Sequence, residues 1–210
     1  MIRKEKLEEL KEIVEELRTI EVKNREVEQK NKFLQSKSYY FKLSNGIIIP
    51  REKLIKGGKD GSAAIIMPIL KNSSILTVIE PRVFTDLTVG IGFPAGYIEN
   101  GEDVEVGALR ELKEETGFVP NEMIEIDSFY QDEGCSSALN RIFLALDCEK
   151  RFDQDLDKDE IVRYMTFNYE ELLELEKLGY IKGCNTKLAL EKSKIYIKKW
   201  FIYKIVLKIK

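Results

Sequence analysis

Glu111, Glu114 and Glu115 lie in the run Arg110-Glu111-Leu112-Lys113-Glu114-Glu115-Thr116-Gly117-Phe118, within about one and a half turns of a predicted helix. Residues three and four apart share a helix face, so these carboxylates crowd one another. Like charges held that closely repel unless something strongly positive sits among them. A hard divalent cation, bound through oxygen, is the natural partner. An adjacent pair such as Glu114-Glu115, taken alone, reads as a solvated helix face. The trio together marks the segment where chemistry would be seated.

The neighbouring residues look arranged to position the acids. Arg110 precedes Glu114 by four, the spacing of an ion pair along a helix. The helix is expected over 102–116, with Glu102 in its first turn complementing the dipole and Gly117 as its C-terminal cap. Val104, Ala108, Leu109 and Leu112 form the inner face that anchors it on a sheet. Gly96 and Gly101 permit a tight loop folding back toward the helix, where a loop carbonyl would complete a metal shell.

Around this helix the pattern predicts strands over 63–70, 75–79, 124–130, 142–148 and 161–167, a turn over 71–74, and a loop or short strand over 83–89. Helices are expected over 169–178 and 186–199. Strands and helices interleave without strict βαβ order, which predicts a mixed sheet covered by helices on both sides. Before it come an amphipathic helix over 2–19 and a hairpin over 39–49 turning at Ser44-Asn45-Gly46. A Gly/Lys/Asp linker at 56–61 forms the boundary. The final stretch, 195–210, mixes Trp200, Phe201, Tyr203 and aliphatics with lysines. It reads as a segment docked on its own core or a partner subunit, or as one lying on a membrane surface.

Composition removes several classes of function. The 210 residues include no histidine, which rules out a Ser-His-Asp triad and any His-ligated metal. A net charge of -3 gives no electrostatic case for nucleic acid. Three widely spaced cysteines without a CxxC pair suggest a reducing compartment. No apolar signal core or spanning-length apolar run is present, so a cytoplasmic protein without membrane partners is expected.

The spacing Gly96-x5-Glu102-x7-Arg110-Glu111-Leu112-x-Glu114-Glu115-x-Gly117-Phe118 resembles the Nudix box at every position. Looser similarity to the ADP-ribose pyrophosphatase-like branch runs from about Val22 to Lys192. The resemblance implies the Nudix fold, an α/β/α sandwich with a mixed β-sheet, here with an N-terminal helix and hairpin extension. Three parts are expected: 1–57 as that extension and a dimerisation element, 58–194 as the hydrolase domain, and 195–210 as the tail. The implied activity is Mg2+- or Mn2+-dependent hydrolysis of a nucleoside diphosphate linked to another moiety, with ADP-ribose the leading substrate and a homodimer the expected assembly. The alternatives are a house-cleaning nucleoside triphosphate pyrophosphatase and a non-catalytic nucleotide-sensing module.

Carried over by position, Glu111 and Glu115 would be the main metal ligands, with Glu114 as ligand or base and the Ala95 carbonyl joining the shell. Arg110 would orient the glutamates. Glu160, in the late acidic segment, matches the carboxylate that activates water in this branch, or is a solvated loop acid. Arg82 matches an arginine that contacts phosphate, or is a surface residue. Tyr39, Tyr40 and Phe41 either stack on adenine across a dimer, with Tyr40 as the candidate, or pack within the hairpin. The branch usually carries a Ser-Pro-Gly-like turn beside the substrate's sugar. Here it reads Asp132-Glu133-Gly134-Cys135-Ser136-Ser137, with Glu133 as the candidate contact, and Gly92 replaces a usual glutamate before the box.

Overall fold

The computed structural model describes residues 2–20, 33–56 and 60–209, with Lys199 and 201–209 described by backbone alone. Along the chain run α1 (Lys4–Leu17), β1 (Leu34–Lys42), β2 (Ile48–Lys56), β3 (Ala63–Leu70), β4 (Ile75–Pro81), β5 (Val89–Gly92) and β6 (Ala95–Tyr97). They are followed by α2 (Val104–Thr116), β7 (Phe118–Val119), β8 (Glu122–Tyr130), β9 (Leu139–Lys150), β10 (Arg163–Phe167), α3 (Tyr169–Lys177) and α4 (Cys184–Ile209).

The central strands are apolar on both faces, as strands covered on both sides must be. In β3, Ile65, Met67 and Ile69 enter a core shared with α1, α3 and α4, while Ala64 and Ile66 meet Ala108 and Leu112 of α2. β9 divides in the same way: Ile142, Leu144 and Leu146 face one side, Phe143 and Ala145 the other. Asp147 has φ 52, and the β3–β9 register slips beside it. The slip returns Cys148 to the α2 side. β3 and β9 pair in parallel, and the other recorded pairs of this sheet are antiparallel. The result is the α/β/α sandwich with a mixed sheet, ordered β10-β4-β3-β9-β7, with β5 on β4, β6 on β3 and β8 on β9.

The N-terminal extension divides into two unlike pieces. Leu10, Val14 and Leu17 of α1 are buried in the main core, and Ile2 joins them. β1 and β2 instead make a two-stranded sheet of their own, and every residue of β1 is exposed. Their turn is tight, with Gly46 at φ 88 and the Ile47 amide donating to Asn45 Oδ1 at 3.1 Å. Residues 21–32, and 57–59 of the expected linker, lie outside the described residues.

The hairpin strands run longer than the expected 39–49, through Leu34–Lys42 and Ile48–Lys56, and β10 starts at Arg163 instead of 161; two further boundary differences bear on the site and the tail. α2 starts at Val104, not at 102, because Asp103 takes the N-cap and accepts from the Glu105 and Val106 amides. Glu102 is thereby freed for another partner. α4 runs on to Ile209 without a break at 194/195, since neither glycine nor proline interrupts it. Trp200 packs against the core, and the aromatic side chains expected beyond it in the tail lie outside the described residues. No helix among the described residues is long and apolar enough to cross a membrane.

Candidate active site

Burial of one helix face aims the acids. Ala108 and Leu112 are fully buried against the sheet, and the C-terminus of α2 is fixed by Gly117 in the left-handed region at φ 76. A Cβ there would lie 2.0 Å from the Phe152 carbonyl oxygen, so only glycine fits. With the helix locked at both ends, Arg110, Glu111, Glu114 and Glu115 border a cavity of about 840 Å³.

Arg110 organises the rim. Its Nε and Nη2 donate to the two carboxylate oxygens of Glu102 at 3.0 and 3.1 Å, a bidentate clamp. Nη1 reaches Glu111 at 2.8 Å and Glu114 at 3.1 Å, and Nη2 also reaches the Tyr97 carbonyl at 3.2 Å. These carboxylates, Glu102 foremost, hold the guanidinium firmly in its charged form. Glu111 lies flat against Gly96, where a Cβ would fall 1.8 Å from the carboxylate carbon.

Glu115 points inward. It is 8% exposed, and its Oε2 is buried without a hydrogen-bond partner. Burial pushes its carboxyl well above the usual range, and the charges of Glu80, Glu111 and Glu160 push it further, against a backbone hydrogen bond from Ala95. Glu111 is also raised by burial, against the pull of Arg110 and with the added repulsion of Glu114 and Glu160. Glu80 is raised by burial against Arg82, with Glu160 adding repulsion. Four acids from β4, α2 and the loop between β9 and β10 thus share one electrostatic neighbourhood. That loop is tied to the helix: the Asp155 amide donates to the Glu114 carbonyl at 2.9 Å, and Gln154 Nε2 to the Glu115 carbonyl at 2.5 Å.

Of the residues singled out from sequence, Arg82, Ala95, Arg110, Glu111, Glu114, Glu115 and Glu160 all line the cavity. Tyr40 and Glu133 do not. Tyr40 is 77% exposed on β1, and Glu133 is exposed in the turn after β8. Sequence reasoning passed over Glu80, Lys56, Asn140 and Asn185, which also line the cavity. Glu80 stands two residues before Arg82, near the end of β4. Lys56, Asn140 and Asn185 come from β2, β9 and α4, which only the tertiary fold brings together.

Among the described residues, no three acidic or thiol side chains converge at coordinating distance. Arg110 accounts for this in part, because it occupies oxygens of both Glu111 and Glu114. The donor set nevertheless suits a hard cation. It is all oxygen, acids outnumber the lining cations Lys56, Arg82 and Arg110, and one buried carboxylate oxygen lacks any partner. An orphaned, charged oxygen in a polar cavity is costly unless a cation completes it.

The family model described as "NUDIX domain" matches residues 60–183. The chain is 31% identical over 154 residues to an ADP-ribose pyrophosphatase of Bacillus subtilis (strain 168), covering 71% of this chain and 79% of that protein. It is 30% identical over 151 residues to a methanol dehydrogenase activator of Bacillus methanolicus, again 71% and 79% of the two chains. A crystal structure of an ADP compounds hydrolase superposes with a TM-score of 0.70 at 23% identity, covering 83% of this chain and 92% of that one. At that identity the superposition speaks to the fold.

Proposed function

Since the chain belongs to the Nudix family, we propose that it hydrolyses the diphosphate bridge of a nucleoside diphosphate linked to a sugar, with ADP-ribose as substrate and AMP and ribose phosphate as products. The observation that carries this reading is the buried, unpartnered Oε2 of Glu115 amid Glu80, Glu111 and Glu160 in a cavity large enough for a nucleotide.

In this reading Glu111 and Glu115, with Glu114 and the Ala95 carbonyl, would hold Mg2+ or Mn2+. Such an ion supplies an acidified water and neutralises phosphate charge. The protein's own groups do the rest. Arg110 fixes Glu111 and Glu114 through the clamp on Glu102. Glu160, on a loop anchored to α2, receives the proton of the attacking water on its carboxylate. Arg82 offers a planar guanidinium to the phosphate oxygens. Raised affinity of Glu111 and Glu115 for protons means that cation binding displaces protons at mildly acidic pH.

A homodimer formed through β1 and β2 belongs to the same proposal. An isolated two-stranded hairpin is marginal in water, and Tyr40, Phe41, Leu34 and Ile48 are exposed upon it. Burying that surface against a second copy would stabilise it and bring Tyr40 toward a nucleotide base. Glu133 would then flank the sugar, since its turn is tied to the hairpin by the hydrogen bond from the Leu54 amide to the Cys135 carbonyl at 2.7 Å. A cytoplasmic location accords with the unpaired cysteines.

The test is incubation with Mg2+ and a panel of diphosphate-linked nucleotides and nucleoside triphosphates, with the products identified. AMP and ribose phosphate from ADP-ribose support the proposal. Release of pyrophosphate from triphosphates alone would replace it with the house-cleaning reading. Nucleotide binding without cleavage would make the protein a sensor.

A further inference from the structure

Each of the three cations lining the cavity has a polar partner, but they are held differently. Arg110 is clamped by Glu102, Glu111 and Glu114, and Lys56 Nζ donates to Gln131 at 2.9 Å. Arg82 differs. Its side chain is 52% exposed, and its Nη2 donates to Glu80 Oε1 at 2.5 Å. No other guanidinium hydrogen bond is recorded for it among the described residues.

Arg82 is nevertheless held along its whole length. Its amide donates to the Thr88 carbonyl at 2.8 Å, and its carbonyl accepts from the Thr85 amide at 2.9 Å. Its stem crosses Gly90 of β5, directly opposite Glu80 in the register, where a Cβ would lie 2.6 Å from Arg82 Cγ. Pro81 keeps φ fixed between the two residues and favours an extended Glu80. Glu80, in β4, and Arg82, one residue past its end, are thereby brought into contact. Glu80 is only 19% exposed, so the pair costs desolvation on its carboxylate side, and Glu80 also meets the like charges of Glu115 and Glu160. Stability does not explain a carboxylate there. Presentation of the guanidinium does.

We propose that Glu80 is a positioning residue that holds the Arg82 guanidinium, threaded over Gly90, with its free N–H edge toward the substrate's diphosphate. The inference rests on the diphosphate reading of the site. What it adds is that the aim of the Arg82 contact is set by a carboxylate two residues before it, near the end of β4.

The test is a set of variants, Arg82→Ala, Glu80→Ala, Glu80→Gln, Gly90→Ala and the double variant Glu80→Ala/Arg82→Ala, measured three ways. Steady-state kinetics on ADP-ribose with Mg2+ separate KM from kcat. Electron paramagnetic resonance gives Mn2+ affinity of the nucleotide-free protein. The Arg82 Nε–H signal in NMR reports guanidinium order and its response to α,β-methylene-ADP. Loss of a charged hydrogen bond predicts a KM about tenfold or more higher in Arg82→Ala and Glu80→Ala, with kcat far less affected. The double variant should be no worse than Arg82→Ala alone. Gly90→Ala should act in the same direction, and Glu80→Gln, which keeps an acceptor oxygen, should recover most of the affinity. Mn2+ affinity should be alike in Glu80→Ala and Glu80→Gln, which remove the same charge, while the ordered Arg82 signal should be lost only in Glu80→Ala. Additive effects of the two alanines, a Mn2+ affinity lower in Glu80→Ala than in Glu80→Gln, or an unaltered Arg82 signal in Glu80→Ala would overturn the proposal. Should the wild type cleave no nucleotide, the hydrolytic reading fails separately. The Arg82 signal then decides: a response to α,β-methylene-ADP that Glu80→Ala abolishes upholds the positioning role, and no response overturns it.

Discussion

Glu115 shows most directly how function and stability oppose each other at a single residue. Its buried Oε2 has no partner, and an unsatisfied buried polar group costs about 1–3 kcal/mol, more when charged. Glutamine removes the buried charge and its repulsion by Glu80, Glu111 and Glu160, so Glu115→Gln should stabilise the cation-free protein by about 1 kcal/mol or more while lowering turnover by about a hundredfold or more. Thermal melts and product assays on the same preparation check both halves. The effect depends on pH with a definite sign. A carboxyl raised above its unfolded value of 4.5 binds protons more tightly in the folded state, so stability is lost as pH climbs from 4.5 through the raised value. The advantage of Glu115→Gln should vanish near pH 4.5 and grow above it. Saturating Mg2+ should raise the melting temperature of the wild type and leave the variant nearly unmoved. Melts across pH with and without Mg2+ would refute this if the two proteins ran in parallel.

At the scale of elements, α2 was legible because its signals are local. Apolar spacing at Val104, Ala108 and Leu112, a capping acid and a terminal glycine all lie within the helix or next to it. The error at its start arose because Glu102 and Asp103 are both plausible first-turn acids, and only the fold reveals that Glu102 turns back to clamp Arg110. Asp103→Ala should cost about 1 kcal/mol, visible as a lower denaturation midpoint. The pattern around Gly96 predicted only a tight loop where β6 forms, because three residues carry no periodicity of their own. The pairing of β6 with β3 is nevertheless what lays Gly96 beneath Glu111. Gly96→Ala should push that carboxylate aside and reduce turnover by about a hundredfold, with little change in the melting temperature. Unchanged turnover would show that the close approach is incidental. Glu80 escaped notice for a related reason: its proximity to α2 depends on β4 lying beside β3 in the sheet, a long-range fact that spacing does not encode.

For the whole molecule, the sandwich was readable from the apolar runs of β3 and β9, whose two faces feed two separate cores. The division of the N-terminal extension was not. Amphipathic pattern predicted α1 without saying what it would cover, and its burial with β4 joins it to the main body. The hairpin stands apart with an apolar, aromatic surface. Tyr40→Asp combined with Phe41→Asp should shift the sedimentation coefficient from a dimer's to a monomer's. A wild type that sediments as a monomer at micromolar concentration would remove this part of the account.

β2 links that arm to the cavity through one side chain. Its last residue, Lys56, bends across Gly61, where a Cβ would lie 2.9 Å from Lys56 Cδ, and ends on Gln131 at the cavity wall. Whatever steadies the arm therefore also steadies one corner of the binding chamber. If a twin chain does the steadying, catalytic output per molecule becomes a readout of abundance: scarce copies idle, and plentiful ones work.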